Sequence, residues 1–189
     1  MSMFEYVSVL TSIVVGLGLA HLLQGVARIA QHPGRNPTYW VHSLWVFASF
    51  FNAVFWWWWE FRFAQVDVWT FQLYLFVLSY AVLIYLQCAL LFPSDLEGYE
   101  GFEAYFYSRR AWFFGCFTAS LVLDFADTWL KGAEYFASLG PEYVVATAAQ
   151  IVLGVVAMAS TSRQFHGLFA MLAVMYQLSW ALRYYGTIA

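Results

Sequence analysis

The sequence is poor in charge and in cysteine, and both shortages exclude classes of protein. Only 10% of its 189 residues are Asp, Glu, Lys or Arg, whereas soluble domains carry about 25%. Eight basic residues against eleven acids give a net charge of −3, which argues against a nucleic-acid partner because phosphate binding needs clustered cations. The cysteines, Cys88 and Cys116, lie in apolar runs and form no CxxC pair, so neither a disulfide framework nor a zinc site is expected.

The motifs of several enzyme and channel classes are also missing. The chain has no P-loop glycine pattern, no HExxH and no GxSxG, which argues against nucleotide-binding, zinc-peptidase and serine-hydrolase activities. It has neither a TVGYG-like filter nor a helix with repeated arginines, which are the marks of potassium channels and voltage sensors. We therefore expect no cofactor and no metal site.

Apolar residues are abundant instead. They make up 63% of the chain, and aromatic residues make up 22%. A fold of this length cannot hide so much apolar surface in its own interior, so a lipid bilayer must act as solvent for much of it. The first apolar run is preceded by Glu5 and by no Lys or Arg, and no small-residue cleavage pattern follows it. We interpret this run as a retained span and not as a signal peptide.

Six apolar runs are long enough to cross a bilayer, which takes about 20 residues. Turn-forming clusters such as residues 32–37 separate them, and all connections but one are short. The sequence therefore predicts an all-α integral membrane bundle of six transmembrane helices, forming a single domain over residues 1–189. The predicted spans are Tyr6–Ala27, Trp40–Trp59, Thr70–Phe92, Ala111–Leu130, Tyr143–Ser160 and Gly167–Tyr184.

The one longer connection, Pro93–Ser108, has an amphipathic pattern. Ser94 and Glu97 match the capping box that opens many helices, and the apolar residues that follow fall on one helical face. We expect a short interfacial amphipathic helix here, lying at the membrane surface.

The distribution of cationic residues indicates the orientation. Five of the eight fall in segments that face the cytoplasm if the N-terminus is outside, as the positive-inside rule favours. Glu5 before the first span and Arg28 after it agree with this choice, so both termini are expected outside the cytoplasm. A tryptophan run ends the second span, and tryptophan is enriched where headgroups meet hydrocarbon. The predicted interfacial anchors are Trp56, Trp57, Trp58 and Trp59.

Two acids in the fourth span are the strongest indication of function. A carboxylate in the middle of a membrane helix costs roughly 2.5–3.5 kcal/mol on insertion scales. Asp124 and Asp127 share one helical face with Ser120 and Lys131. A polar stripe of this kind must face protein, water or a partner, so we take both acids as candidates for an ion or proton path.

Two other spans supply polar side chains for such a path. His21 in the first span shares a face with Gly18 and Gly25; the glycines permit close helix packing. Imidazole relays protons because it titrates near neutral pH, and hydrogen bonding to a neighbouring helix is the alternative role for His21. Asn52, in the middle of the second span, needs a partner on another helix. We predict a path between spans one, two and four, lined by His21, Asn52, Asp124 and Asp127.

The sequence also predicts ion pairs among the charged residues at the outward ends of the helices. Under the preferred orientation, acids and bases collect at one level of the bundle, and a buried charge without a partner is not tolerated. Arg183 is therefore the expected counter-ion of Asp124 or Asp127. The supporting ion-pair candidates are Glu60, Arg62, Lys131 and Arg183.

Several segments resemble a known group of sequences. These are residues 4–13 (FEYVSVLTSI) with Gly16-Leu17-Gly18, residues 39–42, residues 56–60 and residues 107–110. They resemble an uncharacterised family of short polytopic bacterial inner-membrane proteins, and the likeness covers the whole chain. The resemblance implies a location in the bacterial inner membrane and brings no assigned activity.

Three functions remain open. The favoured one is a small channel or transporter for a cation or protons. The second is a membrane sensor or partner-binding subunit without transport, whose aromatic surface binds lipid or another membrane protein. The third, an enzyme acting on a lipid or quinone, is less favoured because no nucleophile or metal motif accompanies the paired acids. A bundle of six short spans has little volume for an internal pore, so we also predict a homo-oligomer with the path at a subunit interface.

Overall fold

A computed structural model describes residues 3–32, 34, 37–66 and 68–184. These residues are mostly helical and include no β-strand, so the predicted all-α class is confirmed. Residues 33, 35 and 36 of the predicted turn cluster lie outside the described part. A short 3-10 helix, Phe61–Gln65, follows the second α-helix. The α-helices of the described residues are α1 (Met3–Gln31), α2 (Trp40–Glu60), α3 (Phe71–Ala89), α4 (Phe102–Leu130), α5 (Ala133–Ser138), α6 (Gly140–Ala159) and α7 (Arg163–Tyr184).

Five helices, α1, α3, α4, α6 and α7, are long and apolar enough to cross a membrane. This fits a membrane protein and agrees with five of the six predicted spans. α2 has 21 residues, a sufficient length, but it is not among these five helices. Tryptophan, whose indole N–H is polar, fills six of its positions. The sixth span therefore stays a prediction.

The separate interfacial helix is not confirmed. Residues 93–101 form turns and bends, and the Asp95 carboxylate accepts from the Glu97 N–H at 3.1 Å where a capping box was expected. The last seven residues of the predicted segment, from Phe102 onward, instead form the first turns of α4. The reason is burial: Phe102 and Phe106 lie inside the larger apolar core, so this segment packs in the bundle and not along a surface.

The connection between α4 and α6 contains a helix that the sequence pattern did not predict. α5 has six residues and lies between Gly132, with φ of 130°, and Gly140, with φ of 71°. Glycine adopts these conformations without strain because it has no Cβ. The two turns bring the start of α6 back beside the end of α4, where the candidate site lies.

Neighbouring helices pack closely in pairs. α1 lies along α3, α4 contacts both α3 and α6, and α2 lies against α7. Gly18 and Gly25 set the closest approach of α1 to α3: a Cβ at Gly18 would lie 3.3 Å from Cys88 Cβ, and one at Gly25 would overlap the Phe92 ring. These contacts confirm the packing role predicted for the two glycines.

Two apolar clusters hold the bundle together. The larger one surrounds Trp45, which contacts phenylalanine rings of α4 and α7. The smaller one is built on Trp56 and Phe63. It lies at the end of the bundle where α2, α4 and α7 finish and α1, α3 and α6 begin.

The glycine contacts predict opposite effects for two substitutions in α1. Gly25→Ala should lower the free energy of unfolding by about 1–3 kcal/mol, as overpacking does, because the buried Phe92 ring is packed against His42 and Phe102 and cannot move aside. Gly16→Ala is the matched control, since a Cβ there meets nothing within 4 Å. It should be neutral or stabilising by up to about 1 kcal/mol. Thermal unfolding in detergent measures both, and equal midpoints for the two variants would contradict the proposed contact.

Candidate functional site

One ammonium group lies between two carboxylates where α2 and α4 end. Lys131 Nζ donates to Glu60 Oε1 at 2.7 Å and to Asp127 Oδ2 at 2.5 Å. The side chains of Lys131, Glu60 and Asp127 expose only 2%, 7% and 3% of their surface. We call these three residues the ion cluster. Each member depends on the others, because a charge removed from water is stable only with a partner.

The positions of the three residues along the chain bring the ion cluster together. Glu60 is the last residue of α2, and Lys131 directly follows α4, so the ammonium lies where a helix dipole favours a cation. Asp127 is one turn earlier on the same face of α4. Lys131 Nζ also lies 5.0 Å from the centroid of the buried Phe63 ring, a cation–π distance. Burial lowers the pKa of Lys131, but the Glu60 and Asp127 carboxylates outweigh it and raise that pKa overall.

Asp124, one turn further into α4, is held by hydroxyl groups. Tyr143 of α6 donates to its Oδ2 at 2.6 Å, and Tyr80 of α3 donates to its Oδ1 at 3.3 Å. The Thr128 hydroxyl lies 3.0 Å from the Tyr143 oxygen and extends the network. Within the described structure Asp124 forms no ion pair, so its charge is less completely balanced than the charges of the ion cluster.

Among the described residues at this end of the bundle, buried carboxyl groups outnumber buried ammonium groups. Glu60, Asp124 and Asp127 face the one ammonium of the ion cluster. Asp127 Oδ1 is buried and has no partner among the described residues, a state that calls for a proton, a water molecule or a cation. Arg62 does not fill this role, because its guanidinium lies over the Tyr135 ring at 4.2 Å from the centroid. Burial raises the pKa of Tyr135 to about 12, so the ring is neutral under that guanidinium.

A cavity of about 180 Å³ adjoins Asp124 and Asp127, enclosed mainly by α2, α4, α6 and α7. At about 30 Å³ per molecule, this volume holds on the order of six waters. Gln177 of α7 donates to the Ala48 carbonyl at 3.2 Å, and its Oε1 is buried without a partner in the described part. We call the cavity beside Asp124 and Asp127 the polar cavity. Besides the two aspartates, its polar lining includes Asn52, Thr128, Lys131, Thr147, Gln150 and Gln177.

The structure separates His21 from the other residues of the predicted path. Asn52, Asp124 and Asp127 line the polar cavity, whereas His21 Nε2 lies 2.8 Å from the Phe92 carbonyl, just past the end of α3 and near the opposite end of the bundle. α1 contributes no lining residue to the polar cavity. The polar cavity therefore lies among α2, α4, α6 and α7, away from α1, and a path through it stays a prediction.

His21 instead helps to satisfy the carbonyl groups that follow α3. The last carbonyls of a helix lack partners within it, and here side chains from other helices bond to them. His42 Nε2 lies 2.6 Å from the Leu91 carbonyl, and the Tyr105 hydroxyl donates to the Leu90 carbonyl at 2.9 Å. The hydrogen-bonding alternative for His21 is the one that its position supports.

Arg183 is not the counter-ion of either aspartate. Its guanidinium forms an exposed pair with Glu142, with Nη2 at 2.6 Å from Oε1. Glu142 lies in the first turn of α6 and Arg183 in the last turn of α7, so the two meet at the rim of the bundle. Lys131, one turn from Asp127, occupies the buried position beside that acid instead. The predicted pairing of Arg183 with an aspartate is therefore wrong.

The tryptophan run divides between two environments. Trp56 is buried, lines the polar cavity and lies 5.3 Å from the Tyr80 ring, so it packs inside the bundle. Trp57 and Trp58 are exposed, as interfacial anchors must be. Trp59 is half-buried, and the guanidinium of Arg62 lies 5.3 Å from its ring. The anchor role stays a prediction for Trp57 and Trp58.

The sequence patterns did not single out the two tyrosines that hold Asp124. Tyr143 begins a polar stripe with Thr147 and Gln150, at steps of four and three residues along α6, so a signal was present. Tyr80 gave no signal of its own, because α3 is rich in aromatic residues on all sides. Only the packing of α3 against α4 shows which of them meets an acid.

Among the described residues, no group of three His, Cys, Asp or Glu side chains is placed to hold a metal ion. No family model matches the chain, and no curated protein or solved structure matches it either. Function must therefore be inferred from the chemistry of the site.

The ion cluster predicts that replacing Lys131 lowers the free energy of unfolding much more than replacing Arg183 does. Lys131→Met leaves two buried carboxylates without a partner and should lower the free energy of unfolding by about 3–5 kcal/mol, as the breaking of a buried pair does. Arg183→Met removes an exposed pair and should have little effect.

Denaturant unfolding of the purified protein in detergent measures both variants. The triple variant Glu60→Gln, Asp127→Asn, Lys131→Met removes all three charges together and should recover much of the lost stability. A Lys131→Met protein as stable as the Arg183→Met protein would show that the ion cluster does not hold α2 to α4.

Proposed function

We propose that this protein is a small membrane channel or transporter for protons or a cation, with its path through the polar cavity. The observation that carries the proposal is an excess of buried carboxylates beside a cavity large enough for water. Acids within a membrane helix are costly and are retained where they pair, meet water or bind an ion. The excess of negative charge favours a cation or a proton over an anion.

The two aspartates have different parts in this proposal. Asp127 is fixed by Lys131, so it sets the local potential and keeps the mouth of the cavity in place. Asp124 accepts only from neutral hydroxyl groups, which bond to a carboxylate without cancelling its charge. Asp124 is therefore the group that takes up and releases the transported charge. Both line the polar cavity, three residues apart on one face of α4.

Polar groups continue the path beyond the acids. Asn52 of α2, Gln150 of α6 and Gln177 of α7 line the same cavity, and their amides supply both donors and acceptors to water. A proton moves along such a chain of water and side chains, and a small cation exchanges its hydration shell with the same oxygens. The volume excludes larger solutes.

The setting of this function is part of the proposal. We propose that α2 is the sixth span, that the membrane is a bacterial inner membrane and that the ends of the bundle near Phe4 and Arg183 face away from the cytoplasm. The homo-oligomer was predicted because a six-span bundle has little room for a pore. Since the polar cavity lies within one chain, transport does not require a subunit interface, and oligomerisation stays a separate prediction.

Flux through reconstituted vesicles tests the proposal. Purified protein is placed in liposomes, and a proton gradient is applied with a pH-sensitive dye inside. In separate arms a sodium or a potassium gradient is applied, with a dye inside that responds to that cation. In the arm where the wild-type protein shows flux, Asp124→Asn should reduce that flux by about tenfold or more, since it removes the charge that protonation or cation binding requires. Tyr143→Phe should change the flux without abolishing it, because the carboxylate remains and loses one donor.

Asp95→Asn is the matched control, because Asp95 is an exposed acid on a turn away from the polar cavity. Its flux should equal that of the wild type. Thermal unfolding of each variant confirms that the bundle is intact. Wild-type flux no higher than that of protein-free liposomes, or Asp124→Asn flux equal to that of Asp95→Asn, would refute the proposal.

A further inference from the structure

A second cavity, of about 310 Å³, lies between α1, α2, α3 and the 3-10 helix at the same end of the bundle. It shares no lining residue with the polar cavity. We call it the aromatic cavity, because rings make up more than half of its lining. These rings belong to Phe4, Trp57, Trp58, Phe61, Phe63 and Trp69.

The aromatic cavity has an exposed rim and a buried floor. Trp57, Trp58 and Phe61 are exposed at the rim, whereas Phe63 and Glu60 at the floor expose only 1% and 5% of their surface. A molecule that enters from the bilayer or its interface therefore passes between rings and ends at a carboxylate. The volume lies near the lower bound of ligand pockets, about 300 Å³, which suits a small molecule.

Glu60 is the one charged residue in the described lining. It belongs to the ion cluster, in which Lys131 serves Glu60 and Asp127 together. Two carboxyl groups share one ammonium, so ionisation of both leaves one negative charge that Lys131 does not balance. A cation on the aromatic side of Glu60 would balance that charge.

The hydroxyl groups of the aromatic cavity are already bonded. The Thr11 hydroxyl donates to the Val7 carbonyl at 3.1 Å, and the Ser8 hydroxyl donates to the Glu5 carbonyl at 2.9 Å. Neither hydroxyl is free to bind an anion or a polar solute as a donor. The chemistry left to a ligand is that of indole and phenyl rings and one carboxyl group.

Ring faces beside a carboxylate select for organic cations. The negative face of an aromatic ring attracts ammonium groups, and indole does so most strongly. The protein uses this contact for its own cations at the same end of the bundle: Lys131 Nζ lies 5.0 Å from the Phe63 centroid, and Arg62 lies 4.2 Å from that of Tyr135. An inorganic cation would gain from Glu60 but would leave the apolar rings without a contact.

We propose that the aromatic cavity binds a small organic ammonium cation, with its charge against Glu60 and its alkyl or aryl groups among the tryptophan rings. This inference does not depend on transport through the polar cavity. It assigns a ligand site to α1, α2 and α3, whereas Asp124, the acid proposed to take up the transported charge, lies on α4.

Binding of benzyltrimethylammonium to the purified, detergent-solubilised protein tests the proposal. Tryptophan fluorescence and the shift of the thermal unfolding midpoint report binding. Neopentylbenzene is the matched control ligand, because it has the same shape without the charge. The cation should bind at least about tenfold more tightly than the neutral isostere. Equal affinities would show an apolar or lipid site, and no binding of either ligand to the folded protein would also refute the proposal.

Three variants locate the bound cation. Glu60→Gln keeps the side-chain shape, removes the charge and should weaken cation binding by about tenfold or more. Trp57→Leu should weaken it without disturbing the ion cluster, which keeps the test valid if Glu60→Gln unfolds. Trp129→Leu, an exposed tryptophan outside both cavities, should leave it unchanged. Equal affinities for the Trp57→Leu and Trp129→Leu proteins would refute the assigned location.

Asp124→Asn separates this inference from the proposed function. It should reduce flux by about tenfold or more and leave the affinity for benzyltrimethylammonium unchanged, because Asp124 lies in the other cavity. Loss of cation binding in Asp124→Asn would place the ligand in the polar cavity and overturn the assignment to the aromatic one.

Discussion

The contact of Lys131 with Glu60 and Asp127 is the interaction on which the rest of the structure depends. It joins the end of α2 to the end of α4, two helices that also meet where Trp45 contacts phenylalanine rings earlier in α4. The three charges are almost fully removed from water, so separating the helices would expose an ammonium or a carboxylate to an apolar interior. The polar cavity lies beside this junction, and Asp127 and Lys131 are part of its lining.

The same contact divides two kinds of chemistry at one end of the bundle. On one side, Asp124 lies in an amide-lined space and is held by the Tyr143 and Tyr80 hydroxyls. On the other side, Glu60 closes the floor of a cavity made of rings. Lys131 is shared by two carboxyl groups, of which Asp127 lines the first space and Glu60 the second. A proton or small cation suits the first space, and an organic cation suits the second.

Helical periodicity predicted much of this arrangement and failed where a partner on another helix decides the outcome. The stripe that contains Asp124 and Asp127 was identified from spacing alone, and the alternation of spans placed Glu60 and Lys131 at the same level. Spacing gives the face and depth of a residue, but not which neighbour it meets. From spacing, Arg183 is expected beside an aspartate, whereas its partner in the structure is Glu142. Spacing likewise suggests His21 for the path, whereas its partner is the Phe92 carbonyl. The start of α4 was missed because burial of Phe102 depends on the whole bundle.

A path for protons or a cation through the polar cavity requires water to reach the cavity from at least one side of the membrane. This requirement is tested most directly by thiol labelling in a background without Cys88 and Cys116. Gln150→Cys lines the polar cavity, and Val152→Cys, two residues along α6, is exposed on the outer surface of the bundle. A charged, membrane-impermeant thiol reagent should label Gln150→Cys from one side of sealed vesicles and leave Val152→Cys unlabelled, because a thiolate forms only where water reaches it. Labelling of Val152→Cys but not of Gln150→Cys, or of neither, would contradict the account.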